Sequence, residues 1–227
     1  MKLDLRKYPA YSIREAALYL RLPDATVRAW VIGQPKNRKL NFNGFVPVIQ
    51  IADKKYKHLS FVNLVELHVL SAIRHQHQVP LPKVRSAIQY IGRHFNSTHP
   101  LADEDFQTDG LNLFIEKFGD LLNVSQHGQL AMRNVMEAHL KRIERDAKGV
   151  PIKLFPFTRR GDLNEPKFVE IDSRKAYGKP VLEGTGIPTA ILAERFYAGD
   201  SMKVLANDYG KPIEQIEEAI RYEPKAA

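Results

Sequence analysis

Residues 12–33, SIREAALYLRLPDATVRAWVIG, restrict the fold more than any other stretch, because two short amphipathic segments with matching apolar faces are separated by a proline break. Ser12, followed three residues later by Glu15, has the spacing of a capping box, in which hydroxyl and carboxylate satisfy free backbone amides at a helix start. Ile13, Ala16, Ala17 and Leu20 then fall on one face, and the small alanines let a second helix approach closely. At Leu22-Pro23-Asp24 the helix must stop: Pro23 disfavours helical backbone at Leu22, and Asp24 is suited to cap the next turn. Val27 and Trp30 of the second segment point back to the first, while Arg21, Thr26 and Arg28 take outer positions. The pattern predicts a helix-turn-helix.

Residues 35–57, PKNRKLNFNGFVPVIQIADKKYK, change character: Asn43-Gly44 is a turn signal, and Val46, Val48, Ile49 and Ile51 favour strand. A basic β-wing is expected there. Ser60 is placed to cap a long apolar helix, FVNLVELHVLSAIRHQ, and Val79-Pro80 separates it from LPKVRSAIQYIGRHF, where Leu81, Val84, Ile88, Ile91 and Phe95 repeat at helical spacing.

Charge divides the chain unevenly. Residues 1–95 carry a net +11, residues 96–165 carry −2 and residues 166–227 carry −1. An excess confined to one end is the footprint expected of a nucleic-acid module joined to something that binds another partner, the plainer reading being a basic soluble surface. The opening residues MKLDLRKYPAYS have no apolar signal core, and no apolar run reaches the length of a membrane helix, so a cytoplasmic protein without membrane association is expected. The absence of cysteine removes disulfides, thiolate zinc sites and cysteine nucleophiles.

Across residues 11–95 the chain resembles the MerR-type winged helix-turn-helix family, through the YSIREAA opening, Val27-Arg28-Ala29-Trp30 and LSFVNLVELHVLSAIRHQHQVPLPKVRSAI. It departs in the wing, where Gly44-Phe45-Val46 stands for the family's Gly-Tyr-Arg, and in Ala29. Double-stranded DNA is the implied ligand. The candidate contacts are Arg14, Arg21, Thr26, Arg28, Lys36, Arg38, Lys39, Lys54, Lys55 and Lys57: helix positions can reach major-groove edges, and wing lysines can neutralise phosphates. Two-fold symmetry of operators makes a homodimer the expected form.

In the middle of the chain, LNLFIEKFGDLLNVS reads as two short strands about a Gly119 turn, followed by a helix within GQLAMRNVMEAHLKRIERDA. Met132, Val135, Met136, Leu140 and Ile143 form its apolar side, with core packing favoured over a dimer seam and Arg133, Lys141, Arg142 and Arg145 outside. IKLFPF and KFVEI are candidate strands.

The stretch GKPVLEGTGIP, residues 178–188, invites comparison with phosphate loops, but Lys179 precedes the Gly184-Thr185-Gly186 turn and no lysine opens the following helix. These glycines serve a backbone turn. Gly199 then ends one helix, Ser201 caps a second, Gly210 ends it and Pro212 starts a third, with Ile191, Phe196, Val204, Leu205, Ala206, Ile213, Ile216 and Ile220 as the expected core. Residues 168–223 resemble the family known as domain of unknown function 433, through FVEIDS, GKPVLEGTGIPT, VLANDYG and IEQIEEAIRYE, although GTGIP replaces the frequent GTRIP. The resemblance implies a VapB-like antitoxin whose partner is a PIN-like ribonuclease toxin. Glu214, Glu217, Glu218 and Glu223 on the third helix would repel phosphates, which assigns this part to toxin binding or dimerisation.

No nucleophile has an obvious base, so no catalytic residue is assigned and no enzyme is expected. His75-Gln76-His77 and Asp103-Glu104-Asp105 read as polar surface, and neither a metal nor a cofactor is implied. The expected fold class is mainly α with small β elements (α+β): a winged helix-turn-helix at 1–98, a connector with β-hairpin and helix at 99–150, and short strands leading into a three-helix homeodomain-like antitoxin unit at 151–227. The expected function is a type II antitoxin that neutralises its toxin and represses its own operator. The competing reading is a MerR-like ligand-responsive regulator without a toxin.

Overall fold

A computed structural model describes residues 4–35, 44–75, 80–122, 125–159 and 161–224. They form two compact units, residues 1–151 and 152–227. The chain is mainly helical with one small antiparallel sheet, the α+β class expected from its sequence.

The first unit opens with α1 (Ile13–Tyr19) and α2 (Asp24–Ile32). The capping box forms: the Glu15 amide donates to Ser12 Oγ at 3.1 Å, and the Ser12 amide donates to Glu15 Oε2 at 2.8 Å. Asp24, however, is not the cap of α2. Pro23 takes that place at φ −60°, and its fixed backbone carries the chain into the helix one residue earlier. Asp24 joins the first turn, where a negative charge suits the helix dipole.

Beyond α2, Gln34 and Phe45 exchange two backbone hydrogen bonds of 2.8 Å, while residues 36–43, with Asn43 of the predicted turn, lie outside the described residues. The predicted strand over Val46, Val48, Ile49 and Ile51 is replaced by an irregular segment. Pro47 has no amide hydrogen, and those of Val48 and Ile49 go to the Trp30 carbonyl, so they are not available to a strand partner.

The centre of this unit is α3 (Phe61–His75), buried without interruption from Phe61 to Ile73. Ser60 caps it as expected, with Asn63 returning the bond: the Asn63 amide donates to Ser60 Oγ at 3.2 Å and the Ser60 amide donates to Asn63 Oδ1 at 3.1 Å. Next comes α4 (Leu81–His94), which buries Val84, Ala87, Ile88 and Ile91. Of the His75-Gln76-His77 motif, Gln76 and His77 fall outside the described residues.

The predicted central hairpin is instead a helix, α5 (Leu111–Leu122), entered through a π-helical turn at Phe106–Gly110. Leu111, Phe114 and Ile115 recur at helical spacing and are buried together, which outweighs the turn preference of Gly119. That glycine is buried, with the amide end of the Gln129 side chain beside it. In α6 (Gln126–Leu140), Met132, Val135, Met136 and Leu140 are buried and the helix packs on α3, the core role expected of it. It stops before Ile143, which belongs to β1 (Ile143–Arg145). Arg142 is buried and Arg145 half-buried rather than outside, with Arg145 donating to the Gly149 carbonyl at 2.9 Å.

From β2 (Pro151–Leu154) onward come β3 (Val169–Asp172), β4 (Val181–Leu182) and helices α7 (Thr189–Tyr197), α8 (Met202–Tyr209) and α9 (Ile213–Tyr222). Strand β3 lies between β2 and β4, with Leu154 opposite Ile171 and Val169 opposite Leu182. Leu182, Leu192, Leu205, Ala206, Ile216, Ala219 and Ile220 make the core, with Phe196 against it. Ile191, Val204 and Ile213 are 43%, 44% and 48% exposed, contrary to expectation. Helices this short turn only a narrow stripe inward, and their neighbours Leu192, Leu205 and Ile216 occupy it. Among the described residues no helix is long and apolar enough to cross a membrane.

Candidate nucleic-acid interface

Tight packing sets the relation of α1 to α2. Ala16 and Val27 are fully buried, and Trp30 fills the space behind them at 1% exposure. Between the helices, Arg21 adopts a left-handed backbone at φ 52°, while the Leu22 amide donates to the Ala17 carbonyl at 2.9 Å. Arg21 therefore sits exposed at the tip of the turn. Arg14 on α1 is also exposed, Thr26 is half-buried, and Arg28 is exposed with Nε 3.5 Å from Asp24. An ion pair so open to solvent holds Arg28 weakly, leaving the guanidinium able to exchange Asp24 for a phosphate oxygen.

A second group of cations occupies residues 53–58, a loop closed by Asp53 and His58 through backbone bonds of 3.0 and 3.1 Å. Asp53 Oδ1 accepts from the amides of Lys55 at 2.8 Å and Tyr56 at 3.0 Å, so one carboxylate shapes the turn from within. Lys54, Lys55 and Lys57 are exposed around it. The loop leads directly into Leu59, which bonds to Ala10 and Tyr11 just before the Ser12 cap. Two sequence-distant basic groups are thus tied to one frame, the lysine loop at the foot of α1. Lys36, Arg38 and Lys39 lie outside the described residues.

Three contributors were not singled out from sequence. Tyr56 is 64% exposed among the lysines, with Lys55 Nζ 5.0 Å from its ring centroid, which gives the loop an aromatic face. Arg85 of α4 donates to the Val46 carbonyl and lies 6.0 Å from the Phe45 ring, and burial lowers its pKa. Gly33 has φ 81°, and a Cβ there would stand 2.4 Å from the Phe45 carbonyl oxygen, so the chain beyond α2 can approach only a glycine. The Gly that follows an apolar helix was a visible signal for the last of these; nothing local marks Arg85. Among the described residues no three potential metal ligands converge.

Two family models match parts of the chain. Residues 9–88 match the family described as "Putative DNA-binding HTH domain", and residues 169–222 match "Protein of unknown function (DUF433)". Over its length the chain is 29% identical to "Putative antitoxin VapB45" of Mycobacterium tuberculosis (strain ATCC 25618 / H37Rv), covering 96% of each chain. It is 24% identical to "Uncharacterized protein Rv2308" of the same organism, covering 95% of this chain and 90% of that one. The crystal structure of Rv2018 from Mycobacterium tuberculosis shares the fold, with a TM-score of 0.68 at 24% identity over 97% of this chain and 100% of that one.

The C-terminal unit uses its carboxylates in two ways. Glu218 is 1% exposed and receives Arg159 Nη2 at 2.7 Å, Arg221 Nη1 at 2.7 Å and the Thr158 hydroxyl. Burial pushes its pKa up, but Arg159, Thr158 and Arg221 outweigh that and hold it below the ordinary carboxylate range. Glu223 accepts from the Thr189 hydroxyl at 2.5 Å. Glu218 and Glu223 of the C-terminal unit are therefore engaged within the chain. Glu214 is exposed and Glu217, half-buried, pairs with Arg221 at 2.5 Å.

Proposed function

We propose that this chain is the antitoxin of a type II toxin-antitoxin pair. Its helix-turn-helix unit holds operator DNA and represses the promoter, as a homodimer that spans two half-sites. Its DUF433 domain binds a PIN-like ribonuclease toxin and silences it, and the chain itself catalyses nothing. It acts in the cytoplasm, where operator and toxin are made.

The observation that carries this reading is that exposed cations gather on the N-terminal frame: Arg14, Arg21 and Arg28 around the helix pair, and Lys54, Lys55 and Lys57 on the loop tied to it. A surface of that kind gains affinity by releasing counterions from phosphates. The C-terminal domain lacks such an excess, and an outward Glu214 opposes a polyanion, which leaves it for a protein partner. The end-to-end likeness to a chain named as an antitoxin supports the same pairing of tasks.

Co-expression with the neighbouring open reading frame tests the proposal. Co-purification of the two products, with growth rescued from the toxicity of the neighbour alone, is the expected result. A neighbour that is harmless and never co-purifies would refute it.

A ligand-responsive regulator is the second reading. It is favoured by a cleft of about 530 Å³ between residues 47–50 and α4, lined by Ile49, Ile88 and Arg93, with buried Glu66 at its wall. Promoter affinity that changes with a small metabolite, and not with a protein, would decide for it.

A further inference from the structure

After β3 the DUF433 domain makes a loop that carries an exposed tyrosine on left-handed backbone. Glu170 and Asp172 are both fully buried. Lys175 Nζ lies 2.6 Å from Glu170 Oε1, and Arg174 grips Asp172 with two bonds, Nη2 to Oδ2 at 2.7 Å and Nε to Oδ1 at 2.9 Å. These anchors, with the Gly178 amide donating to the Lys175 carbonyl at 2.8 Å, hold three successive residues in left-handed backbone: Ala176 at φ 44°, Tyr177 at φ 56° and Gly178 at φ 76°. Tyr177 consequently stands 96% exposed.

Only glycine adopts this backbone without penalty; two consecutive residues with side chains persist there because the flanking ion pairs over-determine them. An exposed tyrosine ring adds nothing to the core either. Covering the ring with a partner offsets both costs. Tyrosine held rigid on a protruding loop loses little entropy on binding and is enriched among the residues that dominate protein interfaces.

The loop's charges select the kind of partner. Arg174 and Lys175 are committed to buried carboxylates, and exposed Lys179 is the one loop cation without an ion pair among the described residues. A nucleic acid, with a phosphate at every step, calls for several free cations. The phenol and one ammonium instead offer two hydrogen-bond donors beside an apolar face, which suits a hollow lined with carboxylate acceptors on a protein. We propose that the loop of residues 174–179 is the docking element for the toxin, with Tyr177 as the anchor and Lys179 as its charged neighbour. This assignment rests on the antitoxin reading above.

The test uses the full chain and the protein encoded beside it, purified from the co-expressed complex. Tyr177→Ala is expected to weaken the complex by about thirty-fold, the loss typical of a hot-spot residue, and Lys179→Glu by about ten-fold. Tyr177→Gly relieves the left-handed backbone, so it should melt at or above the wild-type temperature while binding as weakly as Tyr177→Ala, a combination that misfolding cannot produce. If wild type binds the toxin and both Tyr177 variants bind equally well, the docking assignment falls and the antitoxin reading survives. If the Tyr177 variants lose promoter DNA and keep the toxin, the loop is a nucleic-acid contact and the assignment is likewise wrong. Failure of wild type to bind or rescue overturns both.

Discussion

The backbone carbonyl of Trp30 accepts hydrogen bonds from Val48 at 2.7 Å and Ile49 at 3.2 Å, so the segment returning from the wing hangs on the last turn of α2. A core residue of the helix-turn-helix thereby fixes the chain at residues 48 and 49. Anything that separates these groups should disturb DNA binding without touching a DNA-facing side chain.

Gly33→Ala tests that dependence. The alanine Cβ would stand 2.4 Å from the Phe45 carbonyl oxygen, at a backbone angle of φ 81° that disfavours side chains. We expect a stability loss of about 1–3 kcal/mol by denaturant melting, together with weaker promoter binding, while α1 and α2 keep their helical signal.

Reversing charge on the lysine loop, as Lys54→Glu with Lys57→Glu, removes two exposed cations. Promoter affinity should fall and its dependence on salt should flatten, by about one unit of logarithmic slope for each phosphate no longer neutralised. Fluorescence anisotropy between 50 and 200 mM salt, values chosen as roughly the range over which counterion release is steep, reads both effects. Toxin binding should not change.

Glu218→Ala strips a buried carboxylate from Arg159, Arg221 and Thr158. Breaking such a buried cluster costs about 3 kcal/mol, and the melting transition of the C-terminal unit should drop accordingly. Because the folded pKa of Glu218 is depressed, its stabilisation is present above the unfolded carboxyl pKa of about 4.3 and is lost as pH falls through the folded value. The gap between wild type and Glu218→Gln should therefore narrow below about pH 4.

His99 Nδ1 lies 3.0 Å from Glu66 Oε2, and that carboxylate raises the His99 pKa. Burial pushes Glu66 up as well. A raised folded pKa contributes stability below the unfolded histidine value of about 6.5, lost as pH rises through the folded value. Replacing His99 by Gln should cost more at pH 6 than at pH 8, roughly the two sides of that titration, when thermal melting is compared at each pH. An equal loss at both would mean that the pair is held as a neutral hydrogen bond.

Local chemistry made much of this architecture legible. The Ser12–Glu15 box, the break at Pro23, the Ser60 and Ser201 caps and the left-handed Gly210 end each depend on residues within one turn, and each forms where its spacing places it. The Gly119 hairpin failed for a related reason: a glycine signals a turn weakly when the apolar residues before it, Leu111, Phe114 and Ile115, recur at helical spacing and are buried together.

The amino-acid order by itself determined where the serine-capped helices start, that the chain is α+β, and that positive charge gathers at one end, because capping, backbone preference and charge act over a few residues. Tertiary structure decided which side chains those helices bury, leaving Ile191, Val204 and Ile213 outside while enclosing Glu218. It also joined Trp30 to Val48 and Ile49, brought the lysine loop to the foot of α1 and lifted Tyr177 on two buried carboxylates. These relations depend on distances between residues far apart in the chain, and no local preference encodes them.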